Sequence, residues 1–126
     1  MSLNNQELYR PPQIAKITQV ADINLKNCIE QTLADNKVTE LHQLERLSCT
    51  YAGIESLNGL QQLSGLKELN ISDNDLQDIL AIFDLENLTT LHLRNNPKLK
   101  CSQLRLLRGN SKNIISISPP GHCEEN

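Results

Sequence analysis

The amino-acid sequence predicts an α/β fold: a short right-handed solenoid with a parallel sheet on its concave face, a helical N-terminal cap and an irregular C-terminal cap. Three observations carry that expectation. A leucine frame recurs every 22 residues, as Leu44-x-x-Leu47-x-Cys49-x-x-Ala52-x-Ile54, Leu66-x-x-Leu69-x-Ile71-x-x-Asn74-x-Leu76 and Leu88-x-x-Leu91-x-Leu93-x-x-Asn96. A fixed period in this range marks stacked coils, each burying its apolar side only against its neighbours. The same phase continues between copies, at Leu57, Leu60 and Leu63 and again at Ile79, Ile82 and Leu85. Aromatic residues are nearly absent, only Tyr9, Tyr51 and Phe83, so the core must be built of aliphatic ladders.

The 126 residues suit one domain. Residues 1–16 read as an extended lead-in, polar and containing Pro11-Pro12. Residues 17–126 form the repeat domain, and its first part, 17–43, is a helical cap. From Asp22 onward, Leu25, Cys28, Ile29, Thr32 and Leu33 follow the spacing of one helix face. Asp22 suits the N-cap because its carboxylate can accept from the free N–H groups of the first turn. Asp35-Asn36 then ends the helix. A second short helix is placed from Thr39, although His42 stands where a capping box wants Glu or Gln. The cap covers the end of the stack, where a coil has no neighbour and must meet water.

Residues 44–109 hold three repeats. In each, the x-L-x-L-x core is a short strand whose side chains alternate inward and outward. Asn74 and Asn96 end their strand segments, where an amide side chain can pair the turning backbone; Ala52 holds that position in the first repeat. The spacing of three in the return arms suits 3₁₀ turns better than a full α-helix. Asn95-Asn96-Pro97 marks a turn, and the third repeat carries one extra residue before Leu99. Residues 110–123 make a degenerate last coil and C-cap. Ile115 and Ile117 mark its strand, and Pro119-Pro120-Gly121 stops it.

With this frame, and with Asp22-Ile23-Asn24-Leu25-Lys26-Asn27-Cys28-Ile29 and Leu44-Glu45-Arg46-Leu47-Ser48-Cys49 as the cap, residues 17–123 resemble the leucine-rich repeat proteins of the 22-residue, internalin-like bacterial class. The resemblance implies a curved solenoid and a protein-binding role. Three clear repeats are few for a groove that wraps its partner.

A net charge of −3 suggests no nucleic-acid surface, and Lys and Arg are scattered without a run of four. No apolar stretch approaches the roughly 20 residues that span a bilayer, and no apolar signal segment precedes the domain. Four cysteines allow three pairings. The simplest closes each end separately, Cys28 with Cys49 and Cys101 with Cys123, each loop contributing roughly 3 kcal/mol in the chain-entropy model. The competing reading is four free thiols in a cytoplasmic protein, with Cys28 and Cys49 as small core residues. Paired cysteines instead suit a periplasmic, secreted or cell-envelope setting.

The outward strand residues form three stripes across the coils. The first is Arg46, Glu68 and Thr90, continuing toward Ile114. The second is Ser48, Asn70, His92 and Ser116, and the third Thr50, Ser72, Arg94 and Ser118, with Tyr51 and Asp73 just beyond. Neighbours within a stripe stand about 4.8 Å apart. The functional reading is a polar docking strip for a protein partner, with Arg46, Glu68, His92 and Arg94 setting specificity; the plain alternative is a solvated face. His92 lacks a nucleophile and an orienting group in its expected neighbours Asn70 and Ser72. Cys101, His122 and Cys123 lack zinc-site spacing. Asp73, Asp75 and Asp78 lack the glycine and terminal Glu of an EF-hand loop. Asn70-Ile71-Ser72 and Asn87-Leu88-Thr89 match the glycosylation sequon. No phosphate-binding loop or hydrolase motif occurs. No metal or cofactor is therefore expected, and the favoured function is a non-enzymatic interaction module. The alternative is a structural or cell-envelope protein without a dedicated ligand site.

Overall fold

The computed structural model describes residues 13–111 and 113–123; Pro11-Pro12 and most of the expected lead-in lie outside them. The elements follow the repeat frame: helix α1 (Ile23–Asp35), strands β1 (Arg46–Ser48), β2 (Glu68–Asn70) and β3 (Thr90–His92), helix α2 (Cys101–Asn110) and strand β4 (Ser116–Ser118). The strands form one parallel sheet in chain order. Leu47, Leu69, Leu91 and Ile117 stand side by side in register. The three leucines are buried, whereas Ile117 is only half-buried. Removing a buried leucine side chain from such a ladder costs roughly 2–5 kcal/mol.

The asparagine positions explain how each coil turns while buried. Asn74 is nearly inaccessible. Its amide nitrogen donates to the carbonyls of Cys49 at 2.7 Å, Ile71 at 3.0 Å and Ser72 at 3.1 Å. Its amide oxygen accepts from Ala52 N–H and Ile54 N–H, both at 3.0 Å. Asn96 repeats the arrangement one coil on. It donates to Ile71 and Leu93 carbonyls at 3.0 Å and accepts from Leu76 N–H at 3.1 Å. Each asparagine therefore reaches back to the preceding coil. The first coil has no predecessor, which is why Ala52 serves there.

At that end the cap takes over. Asp22 Oδ1 accepts from Asn24 N–H at 3.0 Å and Leu25 N–H at 3.1 Å, as the N-cap expectation requires. Its Oδ2 accepts from Glu55 N–H at 2.8 Å and Ser56 N–H at 3.0 Å. One carboxylate thus starts α1 and ties it to the first coil. Leu25, Ile29 and Leu33 form the buried stripe of α1. The preceding segment joins this core through Ile17 and Val20. Gly65 marks a close crossing: a Cβ there would lie 1.9 Å from the His42 carbonyl oxygen, so only glycine fits.

Three local expectations need correction. The helix placed at Thr39 is a 3₁₀ turn, Leu41–Gln43. Its capping glutamine is Gln43, whose Oε1 accepts from Thr39 N–H, Thr39 Oγ1 and Glu40 N–H at 3.2 Å each; the N-cap is Glu40 and not Thr39, which puts Gln43 and not His42 at the third helical position. The return arms at Leu60–Gln62 and Leu80–Asp84 are 3₁₀ turns, but the third arm is the α-helix α2. Its run of Gln, Leu and Arg favours helix, and Leu104 and Leu107 are its buried pair. A helix takes up more residues for a given length than a looser arm. The last coil is lengthened accordingly, and β4 is Ser116–Ser118, with Ile115 outside it and 83% exposed.

Burial pushes the Asp22 carboxyl up, but the four backbone donors outweigh it and hold the group below its usual value. A depressed folded-state value adds stability above about pH 4 that is lost as the pH falls through that value. The urea midpoint should therefore fall on acidification more steeply in the wild type than in Asp22→Asn; parallel curves would contradict this role.

Candidate functional site

β1 to β4 bring the outward residues together. Pairing places Arg46 beside Glu68, Glu68 beside Thr90 and Thr90 beside Ser116; Ser48, Asn70, His92 and Ser118 form the second stripe. Ser116 and Ser118 therefore each sit one stripe earlier than the sequence placed them, because the last coil is longer. Ile114 leaves the first stripe and packs against the core. Ser72 is also corrected: it is buried. The chain turns at Asp73, so the in-and-out alternation ends and Ile71 and Ser72 are buried in succession. Thr50 is half-buried and Arg94 is exposed.

A polar chain crosses the four strands. Arg46 Nε lies 3.7 Å from Glu68 Oε1, and His92 Nε2 lies 3.6 Å from Glu68 Oε2. His92 Nδ1 lies 3.2 Å from Ser118 Oγ. Exposed pairs of this kind add little stability, typically about 0–1 kcal/mol; here they orient the face. Ser118, His92 and Glu68 do line up as hydroxyl, imidazole and carboxylate. Glu68 is shared with Arg46, however, and its 3.6 Å separation from His92 Nε2 is longer than the hydrogen bond that orients a catalytic imidazole. The sequence missed this alignment because it assigned Ser118 to the wrong stripe.

One wall of the face was not anticipated. A depression beside α1 is lined by Thr32, Arg46, Leu47, Ser48, Glu68 and Asn70. Thr32 Oγ1 donates to the Cys28 carbonyl at 2.8 Å, which fixes its methyl and hydroxyl at the rim. Helical spacing had marked Thr32 only as part of the packing face.

Beyond the strands, Tyr51, Asp73 and Asn95 occupy equivalent positions with φ of 54°, 63° and 57°. Asp and Asn tolerate this left-handed conformation through short side chains that bond locally. Asn95 Nδ2 indeed donates to Asp73 Oδ1 at 2.8 Å. Tyr51 is a bulky residue in the same strained conformation, and it is 81% exposed.

All four cysteines are bonded, Cys28 to Cys49 and Cys101 to Cys123. The pairing that closes each end is the one adopted, and it joins α1 to the first coil and α2 to the C-cap. The grouping of Cys101, His122 and Cys123 offers no thiolate, and His122 Nε2 is engaged by the Leu99 carbonyl at 2.8 Å. Asp73 is engaged by Asn95, and Asn74 points into the stack, so the aspartate loop is no calcium cage. Among the described residues no helix is long and apolar enough to cross a membrane.

No family model matches the chain. The acidic leucine-rich nuclear phosphoprotein 32 family member A of Drosophila melanogaster is 31% identical over 104 residues, covering 82% of this chain and 35% of that protein. The counterpart in Drosophila pseudoobscura pseudoobscura matches equally. The chain thus spans about a third of the length of these curated relatives. Internalin C2 of Listeria monocytogenes superposes with a TM-score of 0.50 at 20% identity, covering 76% of this chain and 53% of that one. This chain is a leucine-rich repeat protein. The leucine-rich repeat fold is internalin-like: short parallel strands on one face, tight return arms on the other and a helical cap.

The strain at Tyr51 in this leucine-rich repeat protein gives a prediction. Tyr51→Asn removes an exposed ring and should raise stability by about 1 kcal/mol, read as a higher urea midpoint at unchanged slope. A lower midpoint would mean that Tyr51 supports the fold.

Proposed function

We propose that this protein is a non-enzymatic interaction module that binds a protein partner through its concave sheet face. Arg46, Ser48, Thr50, Tyr51, Glu68, Asn70, Thr90, His92 and Arg94 supply the contacts, Thr32 adds a wall, and buried Ser72 supports the turn beneath them. Tyr51 carries this reading. An exposed aromatic is kept in a left-handed conformation where the next two repeats use Asp and Asn, and such strain collects at functional positions. Tyrosine and arginine are also the residues that anchor interfaces, and Tyr51, Arg46 and Arg94 all lie on or beside this face.

Two disulfides suit an oxidising compartment, so the site of action is periplasmic, secreted or at the cell envelope. The competing reading, a structural protein without a ligand site, requires that the polar face be merely solvated.

The test is co-purification from the native source under non-reducing conditions. Replacing Arg46, Glu68, His92 and Arg94 together by Ala should cut partner recovery about tenfold or more with the thermal midpoint unchanged. Full recovery by the quadruple variant would remove the concave-face reading. Self-association as the sole interaction in sedimentation would favour the structural one.

A further inference from the structure

Lys and Arg form no run in the sequence, yet they are segregated along the stack. Between Glu86 and Glu124 there is no acidic residue, and the segment holds Arg94, Lys98, Lys100, Arg105, Arg108 and Lys112, half of the chain's 12 Lys and Arg. Arg94, Lys98, Lys100, Arg105 and Arg108 are exposed. Among the described residues none of these five enters an ion pair. The repeats before them carry Glu45, Glu55, Glu68, Asp73, Asp75, Asp78, Asp84 and Glu86 against only Arg46 and Lys67. The last coil is therefore a basic end on an acidic stem.

The same end is incompletely closed. Among the described residues β4 is the edge of the sheet, with β3 as its one strand neighbour. Ser116 N–H donates to the Thr89 carbonyl and the Ser118 carbonyl accepts from Leu93 N–H. Strand alternation then turns the Ile117 N–H and carbonyl toward the open edge. Beside that edge, Leu107, Arg108, Ser111, Ile114, Ile115 and Ile117 line a depression. Ile115 is almost fully exposed, and Ile117 lacks the burial of its ladder mates. An open edge with an apolar pocket is the geometry that accepts an added strand.

Charge selects the occupant. A second copy docking end to end would bring two sets of exposed cations together. A nucleic acid strand would want aromatic stacking platforms, and the depression offers isoleucine and leucine. We propose that this end binds an extended acidic polypeptide segment, which adds along β4, seats an apolar side chain against Ile114, Ile115 and Ile117, and lays carboxylates on Arg108 and on Arg105 one turn away.

Fluorescence polarisation with the full chain tests this. The probes are labelled Asp-Glu-Val-Thr-Val-Glu-Asp, its counterpart with Lys at every acidic position, and the acidic peptide N-methylated at its central Thr. The acidic peptide should bind, and its affinity should fall about tenfold between ~50 and ~300 mM NaCl as surface charges are screened. The lysine peptide should not bind, and N-methylation should abolish binding by removing a strand hydrogen bond. Arg105→Glu with Arg108→Glu should lose the acidic peptide and take up the lysine one, with an unchanged circular dichroism spectrum. Equal binding of both peptides, binding of neither, binding retained by the charge-reversed variant, or capture of phosphatidylserine vesicles without the peptide would each overturn the proposal. Undiminished binding of the N-methylated peptide would overturn strand addition.

Discussion

Each coil of this solenoid must reverse its backbone inside the protein, and the amides of Asn74 and Asn96 are what allow it. A turning chain has carbonyl and N–H groups that no strand or helix can pair, and buried unpaired groups cost roughly 1–3 kcal/mol each. One asparagine supplies donors and an acceptor at once. By reaching into the preceding coil it also fixes the stacking distance, so satisfying the turn and joining the repeats are a single act. Leucine ladders contribute most of the burial but say little about register; the asparagines set it.

Ends are where this device runs out, and the protein closes its two ends differently. At the first coil the carboxylate of Asp22 makes the tie between cap and stack by accepting from Glu55 and Ser56 N–H, and the Cys28–Cys49 bond holds α1 in place. At the last coil the Cys101–Cys123 bond ties α2 to the C-cap, yet β4 keeps an open edge and Ile117 a half-exposed side chain. Chemistry follows this asymmetry. The sheet face carries a mixed polar chain with Glu68 between Arg46 and His92, while the open end gathers exposed cations.

Much of this was legible in the sequence because periodicity is a local signal. The 22-residue frame gives the coils, the inward leucines and the first three members of the first two stripes, and the spacing from Leu25 to Leu33 gives α1 with its Asp22 cap. Errors arose where the period broke. Once α2 lengthened the third arm, counting forward misplaced Ser116 and Ser118 and hid the contact between Ser118 and His92. Ser72 was misassigned because alternation continues only while the chain stays extended, and the left-handed turn at Asp73 comes one residue later. Thr32 escaped notice because its neighbours on the sheet face are remote in sequence. The basic end was present in the sequence all along, but it has no run; only the coil stacking gathers it.

Asn96→Ala, followed by equilibrium urea unfolding, tests the asparagine account most directly. The substitution leaves the Leu93 carbonyl and the Leu76 N–H without their partner, and the Ile71 carbonyl with Asn74 alone. Stability should fall by roughly 4 kcal/mol, far more than an exposed asparagine would give. A loss below about 1 kcal/mol, the size of a single hydrogen bond, would show that the leucine ladders alone hold the coils in register.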